Sequence, residues 1–138
     1  MNEGFLLDTC AAIWLANEKP ISQAAIDAVS EIAPGSDRLC ISAMTAWELG
    51  MLISRGRIHS TKHALAWFED FVKASAIHVR MATPAIMIAA SYLPEPLHND
   101  PMDRIIIATA REHDLTIITR DRAILAYGAA GHVKTLAC

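Results

Sequence analysis

Four acidic residues stand beside apolar runs, where a charge is costly to hold. Asp8 closes Phe5-Leu6-Leu7, Glu48 interrupts the nearly all-apolar stretch 43–53, Asp103 opens onto Ile105-Ile106-Ile107-Ala108, and Asp121 follows the apolar run 115–118. A carboxylate beside buried apolar segments needs a partner. Four like charges gathered in one crevice would raise one another's pKa and resist ionisation. A hard divalent cation, Mg2+ or Mn2+, reverses that, because such ions prefer carboxylate and water oxygens. Bound there, it can lower the pKa of a coordinated water and clamp a phosphate. The chain has no GxSxG and no GxxxxGK[ST], and Gly128-Ala129-Ala130-Gly131 reads as a loop and not a phosphate cradle. An acidic site without a glycine-rich phosphate loop points to metal-dependent hydrolysis of a phosphodiester.

Each acid also has a structural reading. Asp103 and Asp121 near helix starts could complement the helix dipole, worth about 0.3–1 kcal/mol. Asp8 could cap the first helix. Glu48 is harder to dismiss, since Trp47 and Leu49 flank it and no basic residue is close in sequence.

The elements that must position these residues alternate between strand and helix. Strands are expected over 4–7, 39–41, 77–80, 115–119 and 133–136. Helices are expected over 11–16, 22–32, from an N-cap at Ser42 to about 54, 61–74, 83–93 with Pro84 at N1, and from a cap at Asp100, with Pro101 at N1, to about 113. Pro34-Gly35-Ser36-Asp37 and Pro94-Glu95-Pro96 are turn clusters. This order predicts an α/β fold with a mostly parallel central sheet and helices on both faces. Ligands of such sheets gather at the carboxyl ends of strands. Asp8 and Asp121 fall at strand ends, Glu48 about two turns into a helix that follows a strand, and Asp103 in the first turn of a helix feeding the sheet. All four can face one sheet edge.

Bulk composition narrows the class. The 138 residues suit one compact domain over 1–138, with no repeat, low-complexity tract or linker. The hydrophobic share of 53% is slightly high and hints at an oligomer interface. A net charge of −3 argues against a uniformly basic DNA-coating protein. Cys10, Cys40 and Cys138 share no CxxC spacing, which predicts reduced thiols in a cytoplasmic protein and argues against a zinc ribbon. Glu3 and Asp8 without a basic n-region argue against a signal peptide, and no apolar run approaches the ~18 residues of a membrane span.

Leu7-Asp8-Thr9, Glu48, the segment Asp100-Pro101-Met102-Asp103-Arg104-Ile105-Ile106-Ile107-Ala108-Thr109-Ala110, and Thr119-Arg120-Asp121 together resemble the PIN-domain ribonucleases. Among these the resemblance is to the VapC-type toxins of bacterial toxin–antitoxin pairs. It spans essentially the whole chain, and Asp-Pro-x-Asp-Arg is its most specific part. It implies a single PIN-like domain and an endoribonuclease dependent on Mg2+ or Mn2+, leaving a 5′-phosphate and a 3′-hydroxyl. It implies a homodimer and a cognate antitoxin laid over the site. The family's acidic quartet carries over onto Asp8, Glu48, Asp103 and Asp121. Asp8 and Asp103 would be direct ligands, Glu48 a ligand or general base, and Asp121 part of a second, weaker site or a holder of a metal-bound water. Thr9 and Thr119 would orient carboxylates through their hydroxyls. Asp100 is extra to the quartet and either caps its helix or lies beside the metal. Position 10 is Cys where many relatives carry a small polar residue, and Cys10 reads as a packed side chain.

Arg104, Arg120 and Arg122 flank the acids and could contact RNA phosphates, or else pair with neighbouring acids or an antitoxin's acidic tail. Arg55 and Arg57 read as a solvated loop. His59 and His63 have i, i+4 spacing without HExxH, and His98 could approach the site or bond within its loop. Trp14, Trp47 and Trp67 suit core or interface packing. Two rivals stand beside the nuclease: a degenerate PIN module that only binds RNA or protein, and a haloacid-dehalogenase-type phosphatase. The latter needs a second Asp two residues after the first, where this chain has Cys10.

Overall fold

The computed structural model describes residues 3–138. The strands are β1 (Gly4–Leu7), β2 (Leu39–Ser42), β3 (His78–Arg80), β4 (Leu115–Thr119) and β5 (Lys134–Ala137). The helices are α1 (Thr9–Ala16), α2 (Gln23–Ser30), α3 (Met44–Ser54), α4 (Ala64–Ser75), α5 (Pro84–Ser91), α6 (Pro101–His113) and α7 (Arg122–Ala129).

The strands form one sheet in the order β3-β2-β1-β4-β5, and every pairing is parallel. β1, β2 and β4 are buried at every position, as expected for strands covered on both faces. Alternate side chains divide between two cores. On one face Leu6, Cys40 and Ile117 meet Ile86 and Ala90 of α5, Ile106 and Ile107 of α6, and Ile124 and Tyr127 of α7. On the other face Phe5, Leu7, Leu39, Ile41 and Ile118 meet Ala11 and Ala12 of α1, Ala25 of α2 and Phe71 of α4. Each large aliphatic side chain so buried contributes about 1.5–3 kcal/mol.

The strand order places a topological switch between β1 and β4. From β1 the chain winds outward through β2 to β3, then returns to lay β4 against the other side of β1, with Leu7 opposite Ile118. The crevice at the carboxyl ends of these two strands is where such a sheet binds ligands.

Local chemistry explains most helix starts. Asp8, Ser22, His63, Thr83, Asp100 and Asp121 each cap a helix by accepting from a backbone N–H. Several expected boundaries shift. Ser42 belongs to β2, and α3 starts at Met44 with no side-chain cap at Ala43; the buried Ser42 hydroxyl instead accepts from Met44 N–H at 3.0 Å. α4 begins at Ala64 and not near 61, because Ser60 and Lys62 close a local turn first. Gly128 lies inside α7 and not in a loop: a Cβ there would come within 2.5 Å of the Thr135 hydroxyl, so the bare backbone lets α7 press on β5. Among the described residues, no helix is long and apolar enough to cross a membrane.

Candidate functional site

Asp8 leaves the end of β1 as the N-cap of α1, buried to 7% exposure. One carboxylate oxygen, Oδ1, accepts from Ala11 N–H at 2.7 Å, and the other accepts from the Thr119 hydroxyl at the end of β4. The same Thr119 oxygen accepts from Asp121 N–H at 3.0 Å, while the Asp121 carboxylate caps α7 through Ile124 N–H at 2.9 Å. One fully buried hydroxyl therefore ties together the two acids on either side of the β1/β4 crevice. Burial pushes the Asp8 pKa up; the hydrogen bonds from Thr119 and Ala11 pull it down, and the Glu48 and Asp121 carboxylates add to the rise.

Asp103 enters from the first turn of α6. Its pKa is pushed up to about 7, first by burial, then by the Asp100 and Asp121 carboxylates, with His98 opposing and Glu48 adding a smaller push. Glu48 is half-buried and lies one turn into α3, because that helix begins at Met44. Cys10, on the first turn of α1, reports the convergence most directly. Its thiol is pushed up to about 11 by desolvation and by all four carboxylates, Asp8, Glu48, Asp103 and Asp121. Asp8 and Asp121 cap α1 and α7, Glu48 lies on α3 and Asp103 on α6, and each is near enough to Cys10 to act on its thiol. Cys10 itself is exposed and not packed away, a correction to the reading from sequence.

A donor set for a divalent cation is present at this point. One atom each of His98, Asp103 and Asp121 lies within 4.8 Å of the other two. Carboxylate oxygens suit a hard cation, and Asp103 is raised first by burial and then by the neighbouring Asp100 and Asp121 carboxylates.

Several flanking residues do something other than the sequence suggested. The Thr9 hydroxyl reaches no carboxylate; it pairs with the Thr45 hydroxyl at 3.1 Å and locks α1 to α3. Arg104 is buried and does not present a charge to a ligand. It donates to the carbonyls of Ala90 (3.0 Å), Leu97 (3.3 Å) and His98 (2.9 Å) and to the Glu95 carboxylate (3.2 Å). Arg120 lies 4.0 Å over the Trp14 ring and donates to the carbonyls of Pro20 and Cys138. Its guanidinium is occupied in joining the end of β5 to the α1 side of the fold. Asp100 caps α6, accepting from Met102 and Asp103 N–H at 2.9 and 3.2 Å. Arg122, Arg55 and Arg57 are exposed. His63 spends Nδ1 on capping α4, and His59 and His63 do not join a ligand cluster among the described residues. Trp67 stacks on Phe71, Trp14 is half-buried, and Trp47 is 55% exposed.

Sequence reasoning favoured a loop hydrogen bond for His98 over an approach to the site, and the structure gives it both contacts. Its Nδ1 accepts from Asp100 N–H at 3.2 Å and its Nε2 lies 3.2 Å from Asp103 Oδ2. The two-residue spacing before the cap was the available signal.

The PIN domain family matches residues 5–129. This chain belongs to the PIN-domain family. It is a homologue of the VapC-type PIN ribonuclease toxins: it is 34% identical over 122 residues to ribonuclease VapC22 of Mycobacterium tuberculosis, covering 86% of this chain and 88% of that protein. The fold recurs in a DNA-bound VapBC structure from Salmonella typhimurium, with a TM-score of 0.67 and 19% identity over 98% of both chains. It recurs also in DNA-bound VapBC2 of Rickettsia felis, with a TM-score of 0.67 and 13% identity over 96% of this chain and 97% of that one. FitAcB of Neisseria gonorrhoeae shares it with a TM-score of 0.59 and 22% identity over 96% of each chain.

Proposed function

We propose that this PIN protein is an endoribonuclease dependent on Mg2+ or Mn2+, the toxin of a toxin–antitoxin pair, with 1–138 acting as one domain. The observation that carries this is that Asp103, Asp121 and His98 lie within ligand reach of one another, with Asp8 tied to Asp121 through Thr119 at the ends of β1 and β4. Asp8 and Asp103 would hold the cation, with Glu48 and Asp121 completing its surroundings. When bound, the cation supplies charge to a phosphodiester and acidifies a water. The chain's own part is to prepare the crevice. Thr119 and Ala11 fix the Asp8 carboxylate by two hydrogen bonds, so it need not reorganise to bind. Glu48, on α3, would bind the cation or act as general base on its water. In-line attack leaves a 5′-phosphate and a 3′-hydroxyl and forms no covalent intermediate.

The VapC22 homologue and the shared fold with VapBC support RNA as substrate and an antitoxin as partner, and we place the protein in the cytoplasm with them. The exposed apolar side chains Met87 and Ile88 on α5, with Met81 and Tyr92 flanking it, support a homodimer. Arg122, exposed beside Asp121, is the flanking arginine still suited to RNA phosphates.

The test is induced expression of wild type and Asp8→Asn, with growth followed and new RNA 5′ ends mapped. Wild type is expected to arrest growth and generate discrete 5′-phosphate ends, and Asp8→Asn to do neither while remaining folded. A fully active Asp8→Asn protein would overturn the proposal. A soluble wild type that binds RNA but yields no new ends would move the assignment to a binding module.

A further inference from the structure

We propose that the groove between the 95–98 segment and α7 takes the RNA base next to the scissile phosphate, and that the Glu95 carboxylate selects guanine there. The inference rests on the ribonuclease reading above and deepens it.

The groove originates in the sequence of α7. Ile124 and Tyr127 are buried in the core, while Ala123, Ala126 and the C-cap Ala130 share another face at i, i+3 and i+7. Side chains that stop at Cβ leave a slot in front of that face, and Pro96 and Leu97 line it as well. Its volume of about 530 Å3 falls within the about 300–1,000 Å3 of small-ligand sites. The walls are tied together. The Tyr127 hydroxyl donates to the Pro94 carbonyl at 2.7 Å, and the buried Arg104 holds the Leu97 and His98 carbonyls. A slot already formed in the free protein costs little ordering on binding.

Its place joins it to the acidic site. His98 lines the slot and also lies within ligand reach of Asp103 and Asp121, and Ala123 follows Asp121 by two residues. A phosphodiester held at the acids therefore brings its neighbouring base to the slot. Among the described residues, no lysine or arginine lines it, so it suits a base and not the phosphate backbone.

Apolar walls alone would accept any base, and Glu95 adds the choice. Its Oε2 accepts from Leu97 N–H at 3.0 Å and its Oε1 from Arg104 Nη2 at 3.2 Å. These bonds fix the carboxylate on the wall of the slot, hold its pKa below the ordinary value and leave lone pairs on both oxygens. Guanine presents two donors side by side on its Watson–Crick edge, N1–H and the N2 amine, and a carboxylate accepts both. Uracil flanks its one N–H with two carbonyl oxygens that would face the carboxylate. Adenine and cytosine set a single amine beside a ring-nitrogen lone pair.

The test is cleavage of single-stranded RNA by the full chain with Mn2+, first on a randomised pool with every new 5′ end sequenced. Guanine is expected at one fixed position beside the cut. On a defined substrate, replacing that guanine by inosine, which lacks only the N2 amine, is expected to lower kcat/KM about tenfold or more. Glu95→Gln is expected to lower kcat/KM on the guanine substrate by a similar factor and to cut the two substrates equally. Ala126→Leu, which fills the slot, is expected to lower kcat/KM on every sequence while Mn2+ binding by calorimetry stays at the wild-type value. An active wild type with no guanine bias would overturn the proposal, as would equal cleavage of both substrates by wild type or a preference that survives Glu95→Gln. Unchanged cleavage by Ala126→Leu would overturn it too, and would free the slot for a protein partner. Should Glu95→Gln fail to fold or bind Mn2+ less tightly, the inosine substitution on wild type and Ala126→Leu decide. A folded wild type that cleaves no RNA would instead bring down the ribonuclease reading, and this proposal with it.

Discussion

Thr119 serves two acids with a single hydroxyl, donating to Asp8 and accepting from Asp121 N–H. Its position at the end of β4 lets a neutral group hold two acidic residues in place without adding charge. Cys10 lies at the focus of the resulting field. With its thiol pushed up to about 11, it holds roughly a hundredth of the thiolate of an ordinary cysteine at pH 8. Alkylation by iodoacetamide at pH 8, followed by mass spectrometry, is expected to run roughly 100-fold slower at Cys10 than at a free cysteine peptide. A rate equal to the peptide's would mean that neither burial nor the neighbouring carboxylates hold this thiol protonated.

At the scale of elements, the packing of α7 on β5 depends on Gly128. Gly to Ala in a helix interior ordinarily gains up to about 1 kcal/mol. Here the added Cβ would meet the Thr135 hydroxyl at 2.5 Å, its methyl at 2.6 Å and its Cβ at 3.1 Å, and a β-branched side chain on a strand has little room to turn. Gly128→Ala is therefore expected to destabilise the fold by about 1–3 kcal/mol in urea unfolding. A neutral or stabilising result would show that helix and strand separate at little cost. α7 went unread in the sequence for a related reason. Its eight residues, RAILAYGA, end in small residues that resemble a loop, and only the contact with Thr135 explains the glycine.

At the scale of the whole molecule, the fold must withstand the cost of burying carboxylates beside one another. Asp103 has a folded pKa raised to about 7 against about 3.9 in an unfolded chain. A raised folded pKa means that the native state binds the proton more tightly. Its contribution to stability is thus complete below about pH 4 and is lost as pH rises to about 7. Asp8, shifted in the same direction, adds to the trend. Metal-free protein in EDTA is expected to lose melting temperature through this window from these two groups, and Asp103→Asn to flatten the decline. Millimolar Mn2+ at pH 7.5 is expected to restore the wild type and not Asp103→Asn. An identical decline in Asp103→Asn would show that the decline does not come from Asp103.

The sequence by itself determined the parallel α/β class, since β1, β2 and β4 are short unbroken apolar runs between helices, and such runs suit strands buried on both faces. It also determined the four acids as the site to watch, because a carboxylate beside an apolar run is unusual wherever it occurs. The cap at Asp100 was legible because its chemistry is local, one side chain and an N–H two or three residues on, and Pro84 marked the start of α5. Only the tertiary structure decided what depends on distant pairing. The strand order sets β4 against β1 and so brings Thr119 to Asp8 across 111 positions. Arg104 and Arg120 look alike in sequence as free cations near acids. Burial under the 90–98 segment makes the first an anchor, and the Trp14 ring with two carbonyls claims the second. A guanidinium's partners are chosen by the backbone that folds over it, and no spacing along the chain encodes which backbone that is.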